Sequence, residues 1–252
     1  LVCAGGHCTY NPEPLADFLD FVVLGDGEEV VSEITEVIGE WKASGRGSRE
    51  EVLRRLAVIE GVYVPSMYDV EYDGMRIVSV TPRFAEIPAT VPKRTVADLA
   101  EWPYPKNQLV PVTEVVHDRL NVEVFRGCTR GCRFCQAGMI TRPVRERPAD
   151  QVRTMVQEGL KRTGYDEVAL TSLSTADMSG IEQVVGQIVN DPANCGQVSV
   201  SLPSLRVDAF TVGVAAQIQK ARRTGLTFAP EAGTWRMRQV INKLIREEDL
   251  YG

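Results

Sequence analysis

The sequence predicts an α/β protein whose larger part is an open parallel sheet or a partial (βα) barrel. Between residues 121 and 252, four apolar strand-like stretches alternate with four stretches of helical periodicity. Strands that are each followed by a helix pair in parallel through right-handed crossovers, which gives this fold class. A strand–helix–strand–helix order within residues 1–62 predicts part of a second, Rossmann-like α/β domain.

The predicted first domain begins with a strand in LVCAGG, so we expect the chain to start inside a domain. A short helix in NPEPLADFLD, with Pro in its first turn, precedes a strand in FVVLGDGEE. The stretch VVSEITEVIGEW has apolar residues at helical spacing and predicts the next helix. A further helix is predicted in SREEVLRRLAVIEG, with Ser48 as its N-cap and Gly61 at its end.

The segment 63–120 is rich in proline and predicts a linker with one β-hairpin. The hairpin is expected in DVEYDGMRIVSV, where the residues alternate around an Asp-Gly pair. The remaining prolines favour extended chain over helix. The predicted domains are therefore 1–62, a linker at 63–120, and a core at 121–252.

The core is predicted as four βα units. The expected strands are NVEVFRG, DEVALTSLST, QVSVSLPSLRVD and LTFAPEAGT, and the expected helices are ADQVRTMVQEGLKRTG, SGIEQVVGQIVND, TVGVAAQIQKARRTG and WRMRQVINKLIREE. Gly164 and Gly225 are the expected helix ends. Functional groups of parallel sheets gather at the carboxyl ends of the strands, so the site is expected there.

Three cysteines follow the first core strand in the run CTRGCRFC, with the spacing Cys-x3-Cys-x2-Cys. Cys128, Cys132 and Cys135 are one ligand short of a closed structural zinc site, and His117 is the nearest candidate for a fourth. A cubane iron–sulfur cluster normally takes four thiolates, so three thiolates leave one iron open for a non-protein ligand. The pattern therefore favours a reactive metal centre.

Composition and charge limit the alternatives. The chain lacks an apolar run long enough for a membrane span, and we expect a cytosolic protein without membrane contacts. Cys3, Cys8 and Cys195 are expected to be free thiols packed as small hydrophobic residues. Six Arg and one Glu lie between Arg126 and Arg147, although the net charge is -6. These Arg either offset thiolate and cofactor charge or form a docking face for RNA.

The run CTRGCRFC, with an aromatic residue before its third Cys, resembles the cluster loop of the radical S-adenosylmethionine (SAM) enzymes. The resemblance extends over residues 121–252 and implies a radical SAM core with four of about six βα units. It implies a [4Fe–4S] cluster on Cys128, Cys132 and Cys135, with SAM on the open iron. An electron from a flavodoxin- or ferredoxin-type donor would then cleave SAM to a 5'-deoxyadenosyl radical, which takes a hydrogen from the substrate.

The resemblance also implies further SAM-binding residues. Phe134 would lie by the adenine, and TSLSTAD stands where relatives have a glycine-rich turn for the methionine amino group. SLPSLRVD resembles a strand end whose Arg reaches the SAM carboxylate, and APEAGTWRMRQVINK resembles an ESGS…NK signature near the ribose or amino group. Strand-end and helix-end charges without function are the alternative interpretation of the two charged residues. The implied residues are Phe134, Ser172, Ser174, Ser201, Arg206 and Glu231.

AGGHCTYNPEPLADFLDFVVLGDGEE resembles the last part of the cobalamin-binding-type domain that precedes many radical SAM cores. Gly5 and Gly6 match a turn at which the backbone approaches the nucleotide tail of the corrin. A tight strand-to-helix turn uses the same residues without any ligand. The resemblance thus implies the domain type and leaves the presence of cobalamin open.

Three hypotheses follow. The first is a radical SAM enzyme, with methyl or methylthio transfer to RNA or a metabolite as one reaction. The second is a zinc-stabilised RNA-binding module without radical chemistry. The third is an inactive fragment, because four βα units leave the barrel incomplete and the substrate-binding part would lie beyond Gly252.

Overall fold

The computed structural model describes residues 1–194, 196–209, 211–219, 226 and 228–251 of the 252-residue chain. The chain forms two compact units, Leu1–Ala97 and Asp98–Gly252. Each unit has its own hydrophobic core. The predicted boundaries at 62 and 120 differ from this division, because the proline-rich segment does not form a separate linker.

Apolar residues explain why the first part of that segment belongs to the first unit. Met67, Tyr68 and Ile87 are buried in the same core as the preceding helices. In the second unit, Leu99 is buried, and its carbonyl accepts a bond from Arg147. Proline limits helix formation but does not prevent packing, so composition alone gave a misleading boundary.

The first unit contains a small mixed sheet and two helices. Its strands lie in the order β1-β2-β3, with β2 parallel to β1 and antiparallel to β3. The predicted strands and helices are present, except that the stretch NPEPLADFLD forms a 3₁₀ helix, Glu13–Phe18. The elements are β1 Cys3–Ala4, β2 Phe21–Val23, α1 Val30–Ala43, α2 Arg49–Ala57 and β3 Val62–Tyr63.

The residue predicted to cap α2 occupies the N-cap position but does not form the capping hydrogen bond. Ser48 is the N-cap residue, but its side chain makes no capping hydrogen bond. Val52, Leu53 and Leu56 are buried on the inner face of α2, so packing against the core supports this helix. Gly61 has a φ of +86° and lies in the turn between α2 and β3.

The predicted hairpin is confirmed as β4, Tyr68–Asp73, and β5, Arg76–Pro82. Beyond it, the segment around Arg94 returns to the Gly25–Gly27 turn. Gly25 has a φ of +105° and forms a parallel bridge with Arg94, and a Cβ at Gly25 would lie 2.0 Å from the Arg94 carbonyl oxygen. The GDGEE stretch therefore needs glycine for close backbone packing.

The second unit is built on a parallel sheet with the strand order β10-β9-β6. A separate two-stranded antiparallel pair, β7 and β8, follows β6. The strands are β6 Leu120–Glu123, β7 Phe125–Arg126, β8 Arg145–Glu146, β9 Glu167–Thr171 and β10 Ser199–Ser201. The helices are α3 Ala137–Ile140, α4 Ala149–Thr163, α5 Ile181–Val189, α6 Val212–Ile218, α7 Trp235–Val240 and α8 Glu247–Tyr251.

The inward faces predicted for the two longest core helices are confirmed. Burial on both helices follows the 3.6-residue period. Gly164 ends α4 in the left-handed conformation, and its N–H donates to the Leu160 carbonyl at 2.9 Å. The buried residues are Val152, Met155, Val156 and Leu160 on α4, and Ile181, Val184, Val185 and Ile188 on α5.

The fourth predicted βα unit is only partly found. Leu226 and residues 228–234, which are the described part of the predicted fourth strand, are not in a strand. The helix predicted in WRMRQVINKLIREE is divided into α7 and α8 because Asn242, between them, has a φ of +56°. Cys195 and Gly225 lie outside the described residues. The described part of the second unit thus has three parallel strands.

Two further expectations concern the surface. The packing predicted for Cys3 and Cys8 is wrong, because both thiols are exposed in the short segments around β1. Among the described residues, none of the helices combines the length and the apolar character needed to cross a membrane.

Candidate functional site

The three clustered cysteines lie in one long loop at the carboxyl end of β6. The loop, residues 127–144, connects β7 to β8, and the pairing of Phe125 with Glu146 and of Arg126 with Arg145 closes its base. We call residues 127–144 the cysteine loop. Its position after the first parallel strand is the one that the sequence predicted.

All three thiols of the cysteine loop are free and partly buried. The Gly138 N–H donates to Cys135 Sγ at 3.3 Å. A Cβ added to Gly138 would lie 3.5 Å from Cys135 Sγ and 3.8 Å from Cys128 Cβ, so Gly138 packs directly against these two residues. No group of three or more His, Cys, Asp or Glu side chains within the described residues is arranged to hold a metal ion.

The segment after α7 holds the cysteine loop in place. Asn242 Nδ2 donates to the Gly131 carbonyl at 2.8 Å, and the Arg133 N–H donates to the Ile241 carbonyl at 2.9 Å. Within the loop, Arg142 Nε donates to the Cys128 carbonyl at 3.0 Å. Asn242 thus combines a left-handed backbone conformation with a side-chain contact that anchors Gly131, 111 positions earlier in the chain.

A network of charged side chains joins the cysteine loop to the loops after β9 and β10. Arg130 Nε donates to Asp177 Oδ2 at 2.7 Å, and Arg130 Nη2 bonds the other oxygen of the same carboxylate. Arg130 Nη1 donates to Asp208 Oδ2 at 3.3 Å. Burial favours a higher pKa for Asp177, but the bonds from Arg130 and Ser174 outweigh it and lower that pKa.

Arg206 connects this network to a thiol. Its Nε and Nη2 donate to the two carboxylate oxygens of Asp208 at 3.0 and 2.9 Å. Its Nη1 lies 3.6 Å from Cys132 Sγ. Burial opposes the charge of Arg206, but the contacts with Asp208 prevail and raise the pKa of Arg206, so the side chain remains a cation. Arg206 therefore lies beside the cysteine loop, and its contact with the SAM carboxylate stays a prediction.

The three serines predicted for the site have different environments. Ser174 is buried, and its hydroxyl donates to Asp177 Oδ2 at 2.6 Å. The Ser172 hydroxyl lies 2.9 Å from that of Thr175 and accepts the Ser174 N–H at 3.2 Å. The Ser201 hydroxyl accepts a bond from Arg119 at 3.4 Å. Ser174 thus joins the charged network, Ser172 bonds the backbone of Ser174, and Ser201 contacts Arg119 instead.

The remaining candidates of the second unit are less closely connected. Phe134 is exposed beside Cys135 in the cysteine loop. Glu231 has a φ of +65°, and its carboxylate accepts a bond from the buried Lys243 at 2.9 Å. Lys243 directly follows Asn242, so this pair is one residue from an anchor of the cysteine loop. His117 is exposed and belongs to no metal-ligating group of the described residues.

The predicted glycine turn of the first unit is present between β1 and the following 3₁₀ helix. Gly6 has a φ of +96°, and no atom lies within 4 Å of the position that a Cβ would take there. A Cβ added to Gly5 would lie 3.9 Å from Val23 Cβ. The turn needs glycine at residue 6 for its backbone, and the space beside that residue is open.

Each of the six Arg between Arg126 and Arg147 contacts another group of the chain. Arg126 bonds Glu123, and Arg130 bonds Asp177. The other four bond backbone carbonyls: Arg133 to Val240, Arg142 to Cys128, Arg145 to Pro143 and Arg147 to Leu99. All six side chains are thus engaged within the folded chain, and both interpretations of the basic cluster, charge compensation and an RNA-docking face, stay predictions.

The sequence analysis did not identify several residues that hold the site together. Asp177 and Asp208 follow β9 and β10, and their position after parallel strands was the available signal. Asn242 and Lys243 are the Asn-Lys pair of the quoted signature, but no role was predicted for them. Long-range pairing of Arg130 leaves no local pattern, so no sequence signal could identify its partners.

The chemistry of the cysteine loop fits an iron–sulfur cluster. Soft thiolates are the ligands that such clusters take, and three of them come from one loop. Gly138 N–H and Arg206 Nη1 are both directed at sulfur atoms, as hydrogen-bond donors are around cluster thiolates. The fold and the site thus define an α/β protein whose cysteine loop carries three free thiols, the ligand type of iron–sulfur clusters.

Comparison with known protein families assigns the chain to a superfamily. The profile described as radical SAM superfamily matches residues 122–250, about half of the chain. A second profile, described as radical SAM proteins, N-terminal, matches residues 1–65. The chain belongs to the radical SAM superfamily, a superfamily of enzymes. The prediction of an enzyme is thereby confirmed.

One curated relative and several solved structures are similar. An uncharacterized protein of Methanocaldococcus jannaschii, MJ0966, is 31% identical over 248 residues, which are 98% of this chain and 46% of the relative. The radical SAM methyltransferase TsrM of Kitasatospora setae, solved with tryptophan substrate and a SAM analog, matches with a TM-score of 0.59 at 16% identity. That match covers 99% of this chain and 46% of TsrM.

A second solved structure has a comparable likeness. The cobalamin-dependent radical SAM enzyme OxsB, solved with aqua-cobalamin and SAM, matches with a TM-score of 0.59 at 12% identity, over 98% of this chain and 33% of OxsB. At these identities the solved structures support the fold. The chain spans less than half the length of each of these relatives.

Proposed function

We propose that this chain carries the cluster- and SAM-binding part of a radical SAM enzyme. Cys128, Cys132 and Cys135 would hold a [4Fe–4S] cluster, and SAM would bind its open iron. Such a cluster, when bound, would supply one electron for the reductive cleavage of SAM to methionine and a 5'-deoxyadenosyl radical. The observation that carries the proposal is the cysteine loop at the carboxyl end of β6, with Arg206 and the Gly138 N–H directed at its sulfur atoms.

The chain's own residues would position and shield the cofactors. The pairing of β7 with β8 and the contacts of Asn242 would fix the loop. For SAM we propose Arg206, Phe134, Glu231 and the serines at 172, 174 and 201. The half-exposed Glu231 carboxylate, held by Lys243, retains one oxygen for a ribose or amino group.

The reaction of the whole protein is proposed as methyl or methylthio transfer to a metabolite or RNA. TsrM is a radical SAM methyltransferase, and its fold resembles that of this chain. The electron would come from a flavodoxin- or ferredoxin-type donor, which requires a cytoplasmic location. Cobalamin is a further proposed cofactor, supported by its presence in OxsB and by the open space beside Gly6 in the Gly5–Gly6 turn.

Anaerobic reconstitution tests the proposal. The full-length protein is reconstituted with iron and sulfide, reduced with dithionite and incubated with SAM, and 5'-deoxyadenosine is measured by mass spectrometry. We expect a brown protein with roughly four irons and absorbance near ~400 nm. A colourless protein with one zinc would overturn the proposal in favour of a zinc-stabilised RNA-binding module.

Two cysteine variants make the test specific. Cys132→Ala should lose both the cluster and the cleavage of SAM. Cys3→Ala is the matched control, because Cys3 is an exposed thiol outside the cysteine loop, and it should retain both. Cleavage of SAM by the Cys132→Ala protein would refute the assignment. Cobalamin is tested separately by its visible absorbance after incubation and removal of free ligand.

A further inference from the structure

Arg206 contacts Cys132, a proposed cluster ligand, through only one of its three guanidinium nitrogens. Its Nε and Nη2 are engaged by the two oxygens of Asp208 at 3.0 and 2.9 Å. Its Nη1 is directed at Cys132 Sγ at 3.6 Å. The Arg206 side chain is 11% exposed, so the charge near this sulfur is only weakly screened by water.

The carboxylate of Asp208 determines this orientation. A guanidinium is a rigid planar fork, so bidentate binding at two of its nitrogens fixes the direction of the third. Asp208 is itself held, because its Oδ2 also accepts a bond from Arg130 Nη1 at 3.3 Å. Arg130 in turn is bound to Asp177 after β9. The direction of Arg206 Nη1 is thus determined by a chain of contacts over three loops.

We propose that Arg206, positioned by Asp208, raises the reduction potential of the cluster by donating to the sulfur of Cys132. The inference rests on the proposed function and adds a role to SAM binding by Arg206. Reduction adds one electron to the cluster, taken from the external donor, and forms or breaks no bond. A cationic donor at a thiolate stabilises the added negative charge, so the reduced state is favoured.

The reduction potential of the reconstituted full-length protein tests this role. The potential is measured anaerobically without SAM, by electron paramagnetic resonance of samples poised with dithionite and mediators. We expect a more negative potential for Arg206→Gln than for the unchanged protein. Arg206→Lys retains the charge but not the fork, and its potential should lie between the two.

Arg133→Gln is the matched control for the loss of one positive charge. Arg133 is the exposed neighbour of Cys132, and its side chain bonds the Val240 carbonyl. The change in reduction potential caused by Arg133→Gln should be clearly smaller than that caused by Arg206→Gln. Equal shifts in the two variants, or an unchanged potential in Arg206→Gln, would overturn the inference. Iron and sulfide are counted in every sample, so that only proteins with equal cluster content are compared.

The outcomes also separate this inference from the proposed function. If the unchanged protein holds a cluster and cleaves SAM but the Arg206 variants keep its potential, only the inference fails. If the unchanged protein takes up no iron, both fail. If neither Arg206 variant holds a cluster, Arg206 is required for assembly of the site, and the proposed effect on the potential is refuted.

Discussion

The guanidinium of Arg130 binds both carboxylate oxygens of Asp177, although 47 residues separate them in the chain. Arg130 lies between two of the clustered cysteines, and Asp177 lies in the loop after β9. The side chains are 31% and 24% exposed, so this ion pair is less screened than one on the surface. It ties the cysteine loop directly to the loop at the carboxyl end of β9, the central strand of the parallel sheet.

Loss of this ion pair should make the proposed cluster easier to remove. Arg130→Gln is expected to release iron to a chelator roughly fivefold faster, which corresponds to about 1 kcal/mol for a charged hydrogen-bonded pair. Release is followed anaerobically by the absorbance of the iron–chelator complex. Arg153→Gln on the outer surface of α4 is the control, and its rate should not change.

A double-mutant cycle shows whether the pair acts as a unit. Asp177→Asn alone should also accelerate release, and the combined variant should be little worse than either single variant. Fully additive effects of the two substitutions would contradict a direct contribution from the pair.

At the left-handed Asn242, both the side chain and the backbone conformation should contribute to the free energy of unfolding. Asn242→Gly keeps the φ of +56° accessible and loses the bond to the Gly131 carbonyl, so we expect a loss of about 1 kcal/mol in unfolding free energy. Asn242→Ala also introduces backbone strain, so its free energy of unfolding should be about 1 kcal/mol lower than that of Asn242→Gly. Urea unfolding measures both, and an Ala variant as stable as the Gly variant would contradict this account.

The packing of α4 on β6 depends on the absence of a side chain at Gly159. A Cβ there would lie 2.7 and 2.8 Å from the two terminal methyl carbons of Leu120, which is itself buried. Gly159→Val should therefore destabilise the second unit by about 1–3 kcal/mol in urea unfolding. Gly186→Ala on α5 is the matched control, because its Cβ would make ordinary contacts of 3.6 Å or more. This control should be neutral or stabilising, by up to about 1 kcal/mol.

The buried Asp20 should make the first unit sensitive to acid. Burial tends to raise the pKa of Asp20, but the bonds from Arg49 and the Val2 N–H outweigh it and lower that pKa below its usual value. The unfolded chain, with an Asp pKa of about 3.9, then binds the proton more readily than the folded chain. The stabilisation by Asp20 is full above that value and decreases as the pH falls through the lowered folded pKa.

Asp20→Asn tests this linkage. At pH 7 the variant should unfold with about 1–2 kcal/mol less free energy, from the loss of charged hydrogen bonds. The difference between the two proteins should shrink as the pH falls below about 4, measured by urea unfolding at several pH values. A difference that stays constant with pH would show that the charge of Asp20 is not the cause.

Local patterns account for the features that the sequence predicted correctly. The buried faces of α4 and α5 follow from the 3.6-residue period, and the hairpin of β4 and β5 follows from its Asp-Gly turn. The proline-rich segment was misassigned because proline content reports on backbone freedom and not on packing. Its Met67, Tyr68 and Ile87 are buried in the first core.

By itself, the sequence determined the strand–helix alternation of the core and the place of the cysteines after the first parallel strand, because both are encoded in residues close together in the chain. Only the tertiary structure decided the partners of Arg130 and Arg206, the left-handed Asn242 between α7 and α8, and the division at Ala97. Most of these depend on contacts between residues tens of positions apart. Such contacts exist only after the strands have brought their carboxyl ends together.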